Sequence, residues 1–444
     1  MEPSRTNPAE GKTRYAVCGL SRRAIGMFVR PLLKPDGTAG RGDFADGGEI
    51  VALLDVDQAR LAAFNDRERV DLPGFGPDQF DTMISETRPD AVIVTGPDGS
   101  HADYLVRALE HDLDVICEKP MVIDCEQAKA VLAAERTSRG TVRVTHNSRY
   151  REPHQVMRRM IKDGWLGRIT NVEFVHNLDT YHGTSYFYRW NRYRDQSGGL
   201  TITKAVHHFD LINWLLGDVP DQVFAYGALN YYGKNGAHNP SIKDGVDYDH
   251  DEQRRRDPYY QRWHVPGGEV RDDHLSGRDA LPYDVQYPPG SSLYIYDDDI
   301  EIEDTYSAVV RYRSGASMSY SLNLSAAWEG YVLAINGTEG RIETTHYTAP
   351  DRCPFPATDR QPITYLPLFG ERQVHETRRL PGSHNGSDLQ LRQDLFTRQG
   401  AAAPDPLGLR ASSREGALAV AVGEAMWRSV RSGAPVDIAA LLDA

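Results

Sequence analysis

The feature that most constrains this chain is a regular alternation of short apolar strands and helical segments between residues 14 and 145. Strand-like runs are predicted at 14–18, 49–54, 91–95, 114–117 and 142–145, with helices running to about residue 30 and over 58–67, 79–87, 99–110 and 125–137. Alternation with short links calls for a parallel sheet covered by helices on both faces, and so for an α/β fold. Val115-Ile116-Cys117 is apolar without a break, as a central strand buried on both faces must be. The run stops at Glu118-Lys119-Pro120. Ligands of such sheets bind beyond the carboxyl ends of the strands, which puts the Lys119 ammonium on the binding rim.

The same rim carries the parts of a dinucleotide site. Gly19-x-Ser21-x-x-Ala24 follows the first strand. Gly19 permits the tight turn, Ser21 stands where a glycine usually lets backbone approach pyrophosphate, and Ala24 allows close helix–strand packing. Arg22 is placed to meet a phosphate. Asp55 ends the second strand, where a carboxylate binds the ribose hydroxyls of NAD and repels the 2′-phosphate of NADP. It comes later than usual because a Gly- and Pro-rich loop, 34–48, intervenes. Arg22 and Arg23 keep NADP as the second option behind NAD.

The 444 residues suffice for two or three domains, and 40% hydrophobic with 25% charged residues suits a globular chain. A formal net charge of −13 argues against nucleic acid and anionic membranes as partners. No apolar run approaches the roughly 20 residues of a membrane helix. Residues 1–13 are predicted to be a disordered tail. Arg22-Arg23 does not open a twin-arginine leader, because the apolar stretch behind it ends at Pro31. Four cysteines lack metal-site spacing, and Cys18 and Cys117 fall on buried strands; reduced thiols and a cytoplasmic location follow. No metal is expected: Asp247-x-Asp249-x-Asp251 lacks the glycine and the final glutamate of a calcium loop.

Residues 14–146 are therefore read as a Rossmann dinucleotide-binding domain, and 147–444 as a second domain that carries the candidate substrate residues. Arg149 and Tyr150 follow the last Rossmann strand and are expected to touch substrate. A helix is predicted over 152–162 and a half-buried strand over 168–176. The aromatic and basic segment 181–192 is expected to form a substrate wall, with His182, Arg189, Trp190 and Arg192 facing hydroxyls or carboxylates. A helix over 203–216 carries Lys204 and His207, the latter supported by Asp210, while His208 packs. A polar insertion at about 233–300 is read as a solvated loop or interface lid, with Asp297-Asp298-Asp299 as a surface turn. Strands return at 305–312, 316–324, 331–336 and 341–345, and a helix capped by Ser412 or Ser413 spans 413–431.

Several motifs together resemble the Gfo/Idh/MocA oxidoreductases, a family that includes glucose-fructose oxidoreductase and inositol dehydrogenase. They are Gly19-x-Ser21, Leu54-Asp55-Val56-Asp57, Thr95-Gly96-Pro97-Asp98-x-x-His101, Glu118-Lys119-Pro120 and Asn147-x-Arg149-Tyr150. Gly164-x-x-Gly167-x-Ile169, Ser197-Gly198-Gly199 with Lys204, His207, His208 and Asp210, Asn336-Gly337-Thr338-Glu339-Gly340 and a late His384 continue the likeness along nearly the whole chain. The resemblance implies that 147–444 is a substrate-binding and oligomerisation α/β domain, whose open, mostly antiparallel sheet serves a homodimer or homotetramer. It implies NAD- or NADP-dependent chemistry on sugars, inositols or related polyols. It makes Lys119 the catalytic lysine, puts Glu118 beside the nicotinamide ribose and Pro97 and His101 at the cofactor, and brings His384 to the active site.

One position departs from the family pattern, which has an aspartate four residues before the histidine. Here that position is Thr203, with Lys204 beside it, and the two lysines make a positive site suited to an acidic substrate. Net oxidation of a sugar, sugar acid or cyclitol is the first functional reading. Redox-neutral glycoside cleavage, elimination or epimerisation through transient oxidation is the alternative, and a non-catalytic sugar or nucleotide sensor is a further one.

Overall fold

The computed structural model describes residues 11–38, 40–263, 293–378, 380 and 383–442. The predicted tail lies mostly outside them, as does the middle of the 233–300 insertion. Six strands of the first sheet, β1 (Thr13–Cys18), β2 (Gly48–Leu54), β3 (Gly74–Phe75), β4 (Ala91–Val94), β5 (Asp114–Cys117) and β6 (Val142–Val144), run parallel in the order β6-β5-β4-β1-β2-β3. The chain leaves β1 toward one edge and later returns to its other side. The strand order thus reverses between β1 and β4, where an open α/β sheet leaves its crevice. Val92, Ile93, Val94, Val115 and Cys117 are buried, as strands covered on both faces require. Helices Gln58–Glu68 and Cys125–Thr137 begin at Asp57 and Asp124, whose carboxylates accept the backbone N–H of Arg60 and Gln127.

The second sheet contains β7 (Ile169–Asp179), β8 (Pro220–Ala228), β9 (Thr305–Tyr312), β10 (Ser317–Ala326), β11 (Gly330–Gly337), β12 (Gly340–Tyr347), β13 (Ile363–Pro367) and β14 (Gln373–His375). A two-residue strand then adds to the first sheet, β15 (Ala411–Ser412), and another to the second, β16 (Val436–Asp437). The order of the second sheet is β14-β13-β12-β11-β7-β10-β9-β8-β16. Only β7 and β10 pair in parallel; the other pairs are antiparallel, so the sheet is open and mostly antiparallel. Its strands alternate: Tyr306, Ala308, Val310 and Tyr312 are buried, while Val309 faces outward.

The C-terminal part of the chain joins the two sheets. β15 pairs antiparallel with β6, and Ser412 then starts helix Ser413–Ser432 through a capping box with Glu415. That helix packs between helix Cys125–Thr137 on one side and β8 and helix Val206–Leu216 on the other. Its Gly423 lies so close to the helical turn Leu200–Thr203 that a Cβ there would stand 2.3 Å from the Thr201 carbonyl oxygen. The helix predicted over 203–216 is in fact two: the turn Leu200–Thr203 and helix Val206–Leu216, separated at Lys204-Ala205. The described parts of the insertion, 233–263 and 293–300, are more ordered than a solvated loop. They form helices Pro240–Asp244, His250–Arg256 and Pro258–Trp263 and bury Asp257, which accepts the hydroxyls of Tyr294 and Tyr296 at 2.7 and 3.0 Å.

Replacing Gly423 by alanine forces the last helix and the Leu200–Thr203 turn apart. Overpacking of this kind costs about 1–3 kcal/mol. The variant is expected to unfold at a lower temperature and to lose turnover more than NAD affinity, which thermal unfolding and a cofactor titration will show.

Candidate active site

A cavity of about 630 Å³ opens at the β1/β4 crevice, and four strand-end loops form one wall of it. They contribute Gly19, Ser21 and Arg22; Asp55; Gly96, Pro97 and Asp98; and Glu118 with Lys119. Gly19 has a φ of +93°, and a Cβ on it would lie 2.4 Å from the Gly96 backbone. The two loops meet too closely for any side chain at that position. Ser21 caps the helical segment that follows, its hydroxyl accepting the Ala24 N–H at 3.0 Å. Asp55 is held in place by the backbone N–H groups of Leu20 and Asp57, at 2.7 and 2.9 Å. The residues fit a dinucleotide: a glycine turn at a helix start, a fixed carboxylate ending β2, and a rim that leads to Glu118 and Lys119.

The opposite wall comes from the second domain: His182, Tyr186, Arg189, Trp190, Gln196, Lys204, His207 and His384, with Asn147 between the walls. Lys119 donates from Nζ to the Thr203 carbonyl oxygen at 3.3 Å, so the break after Thr203 is where the two walls touch. Burial pushes the Lys119 ammonium down, against the opposing pull of Asp98 and Glu118. Burial likewise brings Lys204 to about 8, with Lys119 adding to the effect and Glu329 opposing it. His207 is held well below the usual imidazole range by burial and by both lysines, and is neutral near pH 7. His208 turns the other way. Its Nδ1 faces the Tyr320 hydroxyl at 2.7 Å, and its ring lies 4.0 Å from that of His176, inside the second sheet's core.

Family models match both walls. The NAD-binding Rossmann fold of the GFO_IDH_MocA oxidoreductase family matches residues 13–146, and the family's C-terminal alpha/beta domain matches residues 158–438. The chain belongs to the Gfo/Idh/MocA oxidoreductases. It is 44% identical over 429 residues to YteT of Bacillus subtilis (strain 168), whose name assigns it to the oxidoreductases by inference; the match covers 95% of this chain and 96% of that one. It is 26% identical to the inositol 2-dehydrogenase of Rubrobacter xylanophilus over 43% of this chain and 51% of that one. Its fold is similar to that of levoglucosan dehydrogenase in complex with NADH, with a TM-score of 0.64, 15% identity and coverage of 96% and 99%. It is also similar to aldose-aldose oxidoreductase from Caulobacter crescentus complexed with glycerol, with a TM-score of 0.61, 18% identity and coverage of 96% and 100%.

In this Gfo/Idh/MocA oxidoreductase a second charge network fixes the cofactor rim. Arg23 donates to Glu118 at 2.8 Å and grips both oxygens of Asp388 at 2.6 and 3.0 Å. Asp388 also accepts from Asn147 at 2.9 Å and bonds His384 Nδ1 at 2.8 Å. The histidine and the guanidinium hold the Asp388 carboxyl far below the usual carboxylate range, although burial alone would raise it. His384 is held in the left-handed region, with a φ of +52°, and lines the cavity. Behind the far wall, Glu329 accepts from His182 Nδ1 at 2.9 Å and from Arg352 at 2.7 Å. His101 lines the cavity, but its ring nitrogens face the carbonyl oxygens of Pro120 and Gly96 at 2.9 and 3.0 Å, pinning two rim loops together.

Three residues expected at the substrate lie elsewhere. Arg149 is buried in a bidentate pair with Asp210, at 2.5 and 2.9 Å, and also binds Glu415 at 2.8 Å and the Gly408 carbonyl at 2.9 Å. Asp210 is therefore committed to Arg149 and does not support His207. Tyr150 is buried between Arg143 and Asp394, donating to Asp394 at 2.5 Å. Arg192 is fully buried and binds Asp297 at 2.9 Å and Asp299 at 3.1 Å, so the supposed surface turn anchors the insertion. Sequence reasoning offered Arg23 only to a phosphate, and it passed over the roles of Asp98, Tyr186, Gln196 and Glu329. Asp98 stood inside a quoted motif and Arg23 beside Arg22; for Glu329, in the link between β10 and β11, no sequence signal exists.

Removing one partner of a fully buried pair costs about 3–5 kcal/mol. Asp210→Asn is expected to lower the unfolding temperature sharply, while the protein that remains folded keeps its NAD affinity; thermal unfolding with a parallel cofactor titration checks this.

Proposed function

We propose that this oxidoreductase moves a hydride between NAD and a carbon-bound hydroxyl of a sugar, sugar acid or cyclitol, with Lys119 as the acid–base residue. The observation that carries the proposal is Lys119 itself. Its amine lies where the rim of the Rossmann sheet meets the second domain's Lys204 and His207, and desolvation brings its neutral form within reach. NAD bound on the β1/β4 rim supplies the hydride acceptor. The substrate hydroxyl gives its proton to the Lys119 amine as the carbonyl forms, and His207, neutral, holds the same oxygen by a hydrogen bond. Tyr186 and Trp190 offer ring faces to a sugar, and His182, Arg189, Lys204 and His384 offer polar contacts. The cations among them favour a sugar acid within this class.

Purified protein incubated with NAD and a panel of sugars, uronic and aldonic acids and inositols is expected to reduce the cofactor with at least one member. Lys119→Ala is expected to lower kcat by about 10²–10⁴-fold and to leave NAD binding by fluorescence titration unchanged. Full turnover in that variant sinks the proposal.

We also propose that a second copy covers the open face of the nine-stranded sheet. Val332, Val175 and Tyr226 are 41%, 40% and 70% exposed, and the register puts them in one row across β11, β7 and β8 through Ser321 and Ser307. Light scattering should find a dimer or tetramer, and Val175→Glu with Val332→Glu should yield a monomer; a monomeric parent protein rejects the interface. Buried thiols at Cys18, Cys117 and Cys125 support a reducing, cytoplasmic setting for this enzyme.

A further inference from the structure

The described residues that line the cavity include three carboxylates, and their commitments differ. Asp55 serves two backbone N–H groups, and Glu118 is paired with Arg23. Asp98, at the end of the loop that follows β4, is 8% exposed and has no ion pair among the described residues. Its Oδ2 is buried without a hydrogen-bond partner among the described residues. Thr203 takes the Lys119 ammonium on its carbonyl, and Asp98 lines the same cavity beside Lys119. A buried carboxylate with an unused oxygen is costly unless a charge balances it. His101 and Lys119 are the groups whose field favours its charge, and of the two only Lys119 can take the substrate proton in the cavity.

We propose that Asp98 is the charge partner of Lys119, a positioning residue whose buried carboxylate holds the positive charge Lys119 gains on taking the substrate proton. The step balances without a further reactant. The hydroxyl proton moves to the Lys119 amine, the C–H electron pair leaves as hydride to oxidised NAD, and Asp98 stays ionised. The groups that face this pair are known from each packed element. Cys117, Glu118 and His101 surround Asp98 from the Rossmann side, and Tyr186 senses it from the far wall. Arg23, Lys204, His207 and His146 surround Lys119. Arg23 is held by Glu118 and Asp388, and the two histidines are held below the usual imidazole range, chiefly by burial. Burial outweighs the neighbouring positive groups and brings Asp98 to about 6, burial also pushes Lys119 down, and each opposes the shift of the other.

The role in turnover rests on the oxidoreductase reading above, but the charge coupling has a test that needs no substrate. Lys119 is acylated with acetic anhydride across a pH series in the NAD-free protein, and its labelling midpoint is read by peptide mass spectrometry. Asp98→Asn keeps the side chain's shape but removes the charge that raises Lys119. The midpoint should fall by about one pH unit. The acidic limb of kcat/KM for oxidation should move the same way, with kcat lower by at least about tenfold. Adding Thr203→Asp to Asp98→Asn returns a carboxylate to the neighbouring position and should restore the midpoint and most of kcat. An unchanged midpoint in Asp98→Asn overturns the proposal, and so does a double variant that binds NAD like the parent but keeps the lowered midpoint. If the double variant loses NAD binding, Asp98→Asn alone decides. Absence of turnover in the parent protein together with a shifted midpoint rejects the oxidoreductase reading and keeps the coupling.

Discussion

One buried guanidinium joins the segments whose meeting makes the cavity. Arg149 leaves the last Rossmann strand and binds Asp210 on the helix that carries His207, Glu415 at the start of the last helix, and the Gly408 carbonyl before it. The net stability of such a pair is small, because desolvation offsets most of the attraction; breaking it is what costs. Its contribution is register. With Asp210 fixed, helix Val206–Leu216 has one rotation available, which sends His207 to the cavity and His208 to the core of the second sheet. The close approach of Gly423 to Thr201 sets the other end of the same segment.

The site built on that frame is a contest between burial and charge. Two lysines and a neutral histidine share a cavity whose carboxylates are mostly committed elsewhere: Glu118 to Arg23, and, behind the far wall, Glu329 to His182 and Arg352. Desolvation therefore dominates, lowering Lys119, Lys204 and His207 together. Lowering of this kind is what the proton acceptor of the proposed reaction requires near neutral pH.

How much of this could be read from the residues differs by element. The parallel sheet was legible because its strands are buried on both faces, so their apolar runs and intervening helices leave few alternatives. Lys119 was legible because it directly ends such a strand. Arg149, Tyr150 and Arg192 were misplaced for one reason: an arginine or tyrosine beside an aromatic or polar motif suits a ligand contact and a buried anchor equally well. Their partners Asp210, Asp394 and Asp297 lie between 61 and 244 residues away along the chain. The break at Lys204-Ala205 was hidden because nothing in Thr203-Lys204-Ala205-Val206 stops a helix; the packing of the last helix against Thr201 accompanies it.

The sequence by itself determined the fold class, the NAD-binding rim and the lysine at its edge, since these follow from burial patterns and strand-end chemistry local to a few residues. Only the tertiary structure decided which charges stand around that lysine. Arg23 reaches Asp388 across 365 residues, and Lys119 meets the Thr203 carbonyl of the opposite domain across 84. Electrostatic partners are set by distance in space, and spacing along the chain carries no record of it.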